Sequence, residues 1–287
     1  MPVINTNVSA KLAQDALAVN ARSMGKAMQQ LSTGSRINSA GDDAAGIAIS
    51  ATMTSQIRGL NQSVRNVNDG INLLQTAEGA MVQQTDMLQR MRELAVQSSN
   101  GTNSSTQRSY LQKEFGELSS QIDKIASQTT WNSTTLLNAT GATSGKFVFQ
   151  AGSLSGQTIQ VQVTSTTLAG LALASGSTSL VSIASTTSAS SSLAKIDSAL
   201  TTINTTRATI GAGINRLTYS ADNMSNIASN LSASRSTIAD TDYATASTSL
   251  SKSQIIQQAA TAMLAQEEMR SKYPASPYYW AGFTLLQ

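Results

Sequence analysis

Two adjacent carboxylates, Asp42 and Asp43, stand beside glycines and small side chains in RINSAGDDAAGIAIS, residues 36–50. Carboxylates that lie close together can share a proton and act as a general acid and base. Neighbours on a helix point about 100° apart, so these two cannot form such a pair. Ser39 precedes Asp42 by three residues, and acids at a helix start interact favourably with free backbone N–H groups. The stretch is therefore predicted to be a helix N-terminus whose small-residue face lets another backbone approach closely.

Catalytic and metal chemistry is further limited by residue types that the chain lacks. It has no cysteine and no histidine, which removes thiol nucleophiles, disulfides, histidine general bases and nearly all zinc sites. The remaining Asp and Glu residues fall mostly on predicted helical faces, where solvated charge is the ordinary state. The sequence predicts no enzyme, no cofactor and no metal site.

A second stretch with similar charges, SASRSTIADTDYATAS, lies near the other end, at residues 232–247. Each stretch has an arginine followed by two acids: Arg36 with Asp42 and Asp43, and Arg235 with Asp240 and Asp242. If the N-terminal and C-terminal segments that carry these stretches run side by side, the charges can pair between them and fix the register of one segment against the other. Solvated charges at helix ends are the alternative, because exposed ion pairs contribute little stability. The sequence leaves both interpretations open.

The elements that carry these stretches are indicated by two long apolar stripes. Apolar residues recur at steps of three, four or seven, which marks one face of a helix. The first stripe runs from Val64 to Leu94, and the second from Leu193 to Leu231, with only Arg207 interrupting it. Each predicts a helix of roughly 40 residues. A third helix is predicted over 105–127, with Leu111, Phe115, Leu118, Ile122 and Ile125 on one face.

Residues 146–163, KFVFQAGSLSGQTIQVQV, alternate apolar and polar residues on both sides of a Gly/Ser turn. This pattern predicts a β-hairpin. The Ser/Thr-rich stretch 175–192 is predicted to be an exposed connector. The mirrored helices favour a mainly α fold, an elongated antiparallel helical bundle or coiled coil with a small β-hairpin region.

Charge and hydropathy limit the partners and the location. Charged residues make up 12% of the 287 residues, against about 25% in typical proteins. The net charge of +3 comes from scattered Lys and Arg, which does not indicate nucleic-acid binding. The start has neither the charged nor the apolar region of a signal peptide, and no apolar run is long enough to span a bilayer. We expect the protein to be cytosolic or to leave the cell without a cleaved signal.

Several long motifs resemble bacterial flagellin, in that family's order and spacing. They are MPVINTNVSA, LSTGSRINSAGDDAAGIAIS, NDGINLLQTAEGA, LQRMRELAVQSSNGT and ADTDYATASTSLSKSQIIQQAATAMLAQ. The resemblance covers residues 1 to about 266. It implies that residues 1–44 and 236–266 form a terminal coiled coil, the inner layer of a filament. Residues 45–175 and 190–235 would form a helical rod with the hairpin, and 176–189 a Ser/Thr-rich connector.

The resemblance implies a structural subunit that polymerises into the extracellular flagellar filament for swimming motility. A head-to-tail contact that does not close produces an open helical polymer. The family's partners would be further copies of the chain, a flagellar export chaperone, the filament cap protein and the vertebrate Toll-like flagellin receptor. A hook–filament junction protein of the same superfamily is the alternative, although LQRMRELAVQSSNGT favours flagellin.

Six residues carry over as candidates for contact with the receptor or with neighbouring subunits. They are Leu88, Arg90, Glu93, Leu94, Gln97 and Glu114. Arg90 and Glu93 are three apart and can pair on a helix surface. The Ser and Thr residues between 140 and 192 are expected to be outermost in a filament and to be sites for O-linked sugars.

The resemblance stops after Gln266, where EEMRSKYPASPYYWAGFTLLQ follows as an atypical aromatic tail at 267–287. Pro274 and Pro277 are expected to break the apolar helix with which flagellins normally end. SPYYWAGFTLL resembles the closing strand of caspase-like CHAT peptidase domains, without that family's catalytic His and Cys. The tail is expected to weaken self-assembly, which leaves an assembly-impaired flagellin chimera as a further alternative.

Overall fold

The computed structural model describes residues 8–139, 144–175 and 179–272, and this part of the chain is mainly helical. Its helices are α1 (Val8–Thr33), α2 (Ala44–Ser99), α3 (Ser105–Gln128), α4 (Thr186–Ala239) and α5 (Tyr243–Lys272). They divide into a terminal unit, from the described residues of 1–55 and 231–287, and a middle unit, from those of 56–230. The division falls inside α2 and α4, whereas the resemblance suggested boundaries after residues 44 and 235.

Short antiparallel strand pairs lie between α3 and α4. They are β1 (Thr130–Trp131) with β2 (Thr134–Thr135), β3 (Lys146–Gln150) with β4 (Thr158–Gln162), and β5 (Ala174–Ser175) with β6 (Ser179–Leu180). In the β3–β4 hairpin, Phe147 lies opposite Val161 and both are buried, while Val148 is exposed. The hairpin predicted from alternating residues is confirmed.

The core of the middle unit consists of the apolar stripes of α2, α3 and α4. Their spacing of three and four places these side chains on one side of each helix. Fully or almost fully buried are Leu74, Met81, Leu88, Met91, Leu94, Phe115, Ile122, Ile196, Ile203, Ile210 and Leu217. Gln84, also buried, donates from Nε2 to the Ile122 carbonyl over 3.1 Å and joins α2 to α3. The stripes are therefore core faces.

Ion pairs show that α2 and α4 run antiparallel in the middle unit. Arg92 Nε lies 2.7 Å from Asp197 Oδ1, and Arg207 Nη2 lies 3.7 Å from Glu78 Oε1. The pair that lies later in α2 lies earlier in α4, as antiparallel helices require. The mainly α class with antiparallel helices and small hairpins, predicted from the mirrored stripes, is confirmed.

Two glycines on the long helices leave room for the β3–β4 hairpin. A Cβ atom on Gly70 of α2 would lie 2.7 Å from Phe149 Cδ1, and one on Gly213 of α4 would lie 2.8 Å from Val161 Cγ2. Real Cβ atoms essentially never come within 3.0 Å of another group. The hairpin therefore packs against both helices at positions where only glycine fits without movement.

The long helices exceed the predicted roughly 40 residues, because α2 has 56 residues and α4 has 54. α4 begins at Thr186, where Ser185 Oγ accepts the Ser188 N–H over 3.1 Å. Before it, Val181 and Ile183 are buried. Part of the exposed connector expected at 175–192 is therefore packed or helical instead, because Val181 and Ile183 are buried and the hydroxyl of Ser185 caps a helix. Residues 176–178 lie outside the described part.

In the terminal unit, α1 packs antiparallel against α5. Asn20 Nδ2 donates to the Ser253 carbonyl over 2.7 Å, while the end of α1 meets the start of α5. Ala27, Ala246 and Ser253 are buried, and such small side chains permit close helix contact. No helix in the described ranges has the length and hydropathy needed to cross a membrane.

α5 extends to Lys272, so residues 267–272, expected to begin the atypical tail, continue the helix. The first proline after Gln266 is Pro274, which explains why the helix can pass Gln266. Tyr273, Pro274, Pro277 and the rest of the aromatic tail lie outside the described residues. The tail's expected effect on assembly stays a prediction.

Candidate interaction surfaces

The segment between α1 and α2 pairs with the segment between α4 and α5 through main-chain atoms. The Arg36 N–H donates to the Ala239 carbonyl over 2.7 Å, and the Thr241 N–H donates to the Gly34 carbonyl over 2.9 Å. The two bonds flank an antiparallel bridge between Ser35 and Asp240. We call residues 34–43 with 238–242 the helix junction. Its main-chain bridge fixes the register in which the two arms meet.

Gly34 ends α1 and makes room for α5. Its φ is +70°, a left-handed conformation that favours glycine at helix ends, and its N–H donates to the Gln30 carbonyl over 2.9 Å. A Cβ atom there would lie 3.3 Å from the Tyr243 hydroxyl. A larger residue at position 34 would therefore strain the turn and crowd the first residue of α5.

Asp43 caps α2, which begins at Ala44. Its Oδ1 accepts the Gly46 N–H over 2.8 Å, satisfying a donor that the first turn leaves free. The acidic pair does start a helix, as predicted, but the capping residue is Asp43. Ser39 and Asp42 lie in the turn before it, where the Asp42 N–H donates to the Ser39 carbonyl.

Asp42 joins that turn to α1. Its Oδ1 lies 2.9 Å from Lys26 Nζ, and its Oδ2 accepts the N–H groups of Asn38 and Ser39 over 3.2 and 3.0 Å. The Lys26 ammonium group first, and then these backbone donors, lower the pKa of Asp42 to about 2. Each carboxylate of the acidic pair therefore has its own partners in the turn and at the start of α2.

Replacing Asp42 by asparagine is expected to reduce the free energy of unfolding at neutral pH. The pKa of Asp42 in the folded protein, about 2, is below its ordinary 3.8. The ionised form therefore stabilises the fold above pH 3.8, and this contribution is lost as the pH falls towards 2. Urea unfolding of wild type and Asp42→Asn across this range measures it, with exposed Asp222→Asn as the control. A stability difference that stays constant down to about pH 2 would contradict the assignment.

Arg36 of the junction and Arg235, near the end of α4, do not pair with the acids of the junction, so the structure does not show the cross-pairing that the sequence left open. Arg36 donates from Nε and Nη2 to the Ile238 carbonyl, over 3.2 and 2.7 Å. Arg235 Nη1 lies 3.5 Å from the Thr54 hydroxyl. In the described residues, neither arginine forms an ion pair with an acid of the junction. The main-chain bridge sets the register instead.

The acids near the start of α5 hold local turns. Asp240 Oδ2 accepts the Ser236 hydroxyl over 2.6 Å. Asp242 Oδ1 accepts the N–H groups of Ala244 and Thr245 over 2.9 and 3.3 Å and so caps α5. Hydrogen bonds from the Thr245 side chain and backbone, and then from Ala244, lower the pKa of Asp242. Asp240 and Asp242, like Asp43, therefore act at helix ends, which was the alternative to ion pairs between the two stretches.

An exposed charged cluster lies on α2 and α3. Arg90 Nη1 lies 3.0 Å from Glu93 Oε2, and Arg90 Nη2 lies 2.9 Å from Glu114 Oε1. Glu93 first, and then Glu114, raise the pKa of Arg90. Gln97, four residues after Glu93, is also exposed. We call these four residues the α2–α3 patch. It contains the Arg90–Glu93 pair that the sequence spacing predicted.

Leu88 and Leu94 do not belong to this surface, which corrects their selection as contact residues. Both are 0% exposed, because they continue the apolar stripe that α2 turns towards the core. The Arg92–Asp197 ion pair, by contrast, was not predicted. Nothing local in the sequence connects these two residues, which meet only because α2 and α4 are aligned in this register.

A second exposed surface is apolar and lies on α1 and α5. Leu12 is 71% exposed and Met263 is 72% exposed. Val8, Val19, Met28, Ile255 and Ile256 are further large apolar side chains that are exposed on these helices. We call these residues the terminal apolar face. Val8, Leu12 and Val19 are spaced so that they share one side of α1, and large apolar side chains exposed together in this way are typical of an interaction site.

The acidic side chains around these surfaces are candidate metal ligands. Among the described residues, no group of three or more acidic side chains is placed to hold a metal ion. The charged groups of the junction and the α2–α3 patch are satisfied by local hydrogen bonds and ion pairs.

Two family models match the chain. Residues 4–142 match the bacterial flagellin N-terminal helical region, and residues 193–271 match the bacterial flagellin C-terminal helical region. A flagellin from Halalkalibacterium halodurans is 42% identical over 266 residues, which cover 92% of this chain and 95% of that protein. The flagellar filament 31.3 kDa core protein of Treponema maltophilum is 40% identical over 278 residues, covering 94% and 97%.

Solved structures are also similar to the chain. The crystal structure of Bacillus cereus flagellin is 33% identical, with a TM-score of 0.49, and covers 56% of this chain and 88% of its own. A Vibrio parahaemolyticus structure described as a flagellar hook-associated protein is 15% identical, with a TM-score of 0.56, covering 69% and 99%. At that identity the second likeness concerns the fold alone.

Proposed function

Because this chain belongs to the bacterial flagellin family, we propose that its terminal apolar face provides the main contacts between copies in the flagellar filament. The protein is a structural subunit of that filament, since relatives that align along nearly all of it include filament core proteins. The family forms the extracellular filament, and motility follows from that role. The observation that carries the proposal is the exposure of large apolar residues on α1 and α5.

Burial of the terminal apolar face would stabilise the polymer in a simple way. Removing apolar surface from water contributes roughly 25 cal/mol per Å², and Leu12 and Met263 are each more than two-thirds exposed in the single chain. α1 and α5 pack on one another mainly through small residues, which leaves the larger ones free for neighbouring copies. The terminal unit would therefore form the inner layer of the filament, and the middle unit the next layer.

A double substitution, Leu12→Gln with Met263→Gln, is expected to abolish polymerisation or to raise the concentration it needs many-fold. Two polar amides would replace apolar side chains that other copies must cover. Sedimentation and light scattering of purified protein with filament seeds measure the effect. The matched control, Leu12→Met with Met263→Leu, keeps both positions apolar and should polymerise as wild type. Normal filaments from the glutamine variant would show that the terminal apolar face does not form these contacts between copies. The family membership of the chain would not be affected.

We propose the further partners because of family membership rather than any contact on this chain. They are the flagellar export chaperone, the filament cap protein and the vertebrate Toll-like flagellin receptor. Export would proceed unfolded and without a cleaved signal peptide. The absence of cysteine is compatible with that route, because an exported chain without thiols cannot form wrong disulfides.

The α2–α3 patch is the proposed surface for the receptor or for neighbouring subunits. Arg90 is held by Glu93 and Glu114 and is half exposed. A guanidinium group fixed in this way can still present a planar donor set to a partner's carboxylate. Leu88 and Leu94 would support the patch from beneath, as buried residues, rather than touch the partner.

A hook–filament junction protein is the second candidate, favoured by the fold shared with the hook-associated structure. The two differ in copy number, because filament subunits vastly outnumber junction proteins. Quantifying the protein in sheared flagella separates the candidates. Relatives that are filament core proteins at 40% identity support the filament role.

A further inference from the structure

We infer that Asn100 converts spontaneously to aspartate and isoaspartate, in the turn between α2 and α3, through attack by the Gly101 amide nitrogen. Asn100–Gly101 is the only Asn-Gly pair in the sequence. Glycine has no side chain to hinder ring closure, and it permits the backbone rotations that closure requires. The pair therefore combines the two residue types that favour this reaction most.

The local structure leaves the attacking nitrogen free and the side chain of Asn100 accessible. Asn100 follows the last residue of α2 and is exposed, as is Gly101. Within residues 8–139, 144–175 and 179–272, the Gly101 N–H donates no hydrogen bond, so none must break before it attacks. Asn100 Oδ1 accepts the Thr102 N–H over 3.2 Å. This bond draws electron density from Cγ and makes that carbon more susceptible to a nucleophile.

The reaction needs only water as a co-reactant. The Gly101 nitrogen forms a bond to Asn100 Cγ, the bond from Cγ to Nδ2 breaks, and ammonia leaves with the former amide proton. The product is a five-membered succinimide ring. Water then adds to either ring carbonyl, and the bond from that carbon to the Gly101 nitrogen breaks. One route gives aspartate, and the other gives isoaspartate with an extra carbon in the main chain.

Asp69–Gly70 serves as an internal reference. It also places glycine after a residue that can form the same ring, but it lies inside α2. A helical backbone holds the glycine amide in its own hydrogen bond and away from the side-chain carbon. Gly70 also lies under Phe149, so the segment cannot unwind without loss of packing. The fold therefore protects Asp69 and exposes Asn100.

Conversion would change a turn that other groups depend on. The Asn100 carbonyl accepts Arg108 Nη2 over 3.2 Å and the Asn103 N–H over 3.3 Å. An extra main-chain carbon moves that carbonyl, and a new negative charge is unfavourable at a helix C-terminus. α3 starts just beyond, with Ser104 and Gln107 in a reciprocal cap. Because filament subunits persist outside the cell, the turn would record the age of each subunit.

The test incubates the folded full-length protein at mildly alkaline pH and maps its peptides by mass spectrometry. The expected product at Asn100 has an oxygen in place of an NH group, with isoaspartate detected by enzymatic methylation. The same incubation in urea gives the rate of the unprotected sequence. Asn100 should convert at a similar rate in both. Asp69 is compared in the same two solvents at mildly acidic pH, where aspartyl ring closure with loss of water is faster, and its isoaspartate should appear only in urea.

Gly101→Ala is the matched variant. A Cβ atom there meets nothing within 4 Å, and Gly101 is not among the glycines with positive φ, so the fold should be unchanged. The variant is expected to show no product when wild type is largely converted. Hydrogen exchange at residues 100–104 should rise in aged wild type and not in aged Gly101→Ala. Protection of Asn100 in the folded chain, or equal conversion in the alanine variant, would overturn the inference.

Discussion

Replacing Leu88 by alanine is expected to lower the free energy of unfolding of the monomer by roughly 2–5 kcal/mol. Leu88 is 0% exposed and lies in the core that α2, α3 and α4 share. Truncation removes the transfer free energy of its side chain and leaves a cavity that the helices can only partly fill. Urea unfolding followed by circular dichroism measures the loss.

Arg90→Ala, two residues further along α2, is the matched control for that experiment. Its side chain is half exposed, in the α2–α3 patch, so its loss should leave unfolding nearly unchanged. It should instead weaken binding to the receptor or to neighbouring subunits. A Leu88→Ala variant that is as stable as wild type but binds its partner less tightly would contradict this assignment. It would show that Leu88 contacts the partner rather than the core.

Alanine at Gly213 is expected to destabilise the middle unit relative to alanine at Gly211, by roughly 1–3 kcal/mol. Both glycines lie in α4, and both substitutions gain about 1 kcal/mol of helix propensity. A Cβ at Gly211 meets nothing within 4 Å, while one at Gly213 meets Val161 at 2.8 Å. Comparing the two variants by urea unfolding therefore isolates the contact between α4 and the β3–β4 hairpin.

Val161→Ala tests the cause of that difference. Removing the two methyl groups makes room for a Cβ at position 213, so the double variant should recover part of the stability that Gly213→Ala loses. The coupling free energy comes from a double-mutant cycle. Additive effects, or equal stability of the two glycine variants, would mean that the hairpin does not depend on this glycine.

The helices and the core could be predicted because a helix that buries one face must carry apolar residues every three or four positions, and this spacing can be read from the sequence alone. The stripe that includes Leu88, and its counterpart that includes Ile203, needed only their spacing to identify core faces. Helix lengths were underestimated because small and hydroxylated residues at 186–192 carry no apolar signal. Their helix is started by the cap of Ser185 and stabilised by packing of Ala189.

The junction shows what residue types could not provide. Arg36 and Asp242 suggested an ionic contact, but main-chain atoms, which every sequence has, make the connection. Lys26, which forms the ion pair with Asp42, lies in the preceding helix α1. Its role depends on how α1 meets the following turn, and local spacing does not encode that. Partners fixed by tertiary placement stay invisible until the fold is known.

The six contact candidates selected by the resemblance divide into an exposed group and a buried pair. Arg90, Glu93, Gln97 and Glu114 lie together and exposed, while Leu88 and Leu94 are in the core. A family's functional position can depend on a buried residue that only supports the surface. The apolar stripe of α2 already placed Leu88 and Leu94 on the face that packs into the core. Combining the resemblance with this spacing would have separated the buried residues from the exposed ones.

The contact of α1 with α5 has a consequence for the order in which the chain folds. Asn20 and Ser253, which it joins, are 233 residues apart, whereas the middle unit is one continuous segment. Closing so long a loop in an unfolded chain costs more entropy than closing a short one. Once α2 and α4 lie side by side, with Arg235 beside Thr54, only short lengths of chain remain to be closed. We therefore expect the middle unit to fold first and the terminal helices to pair last.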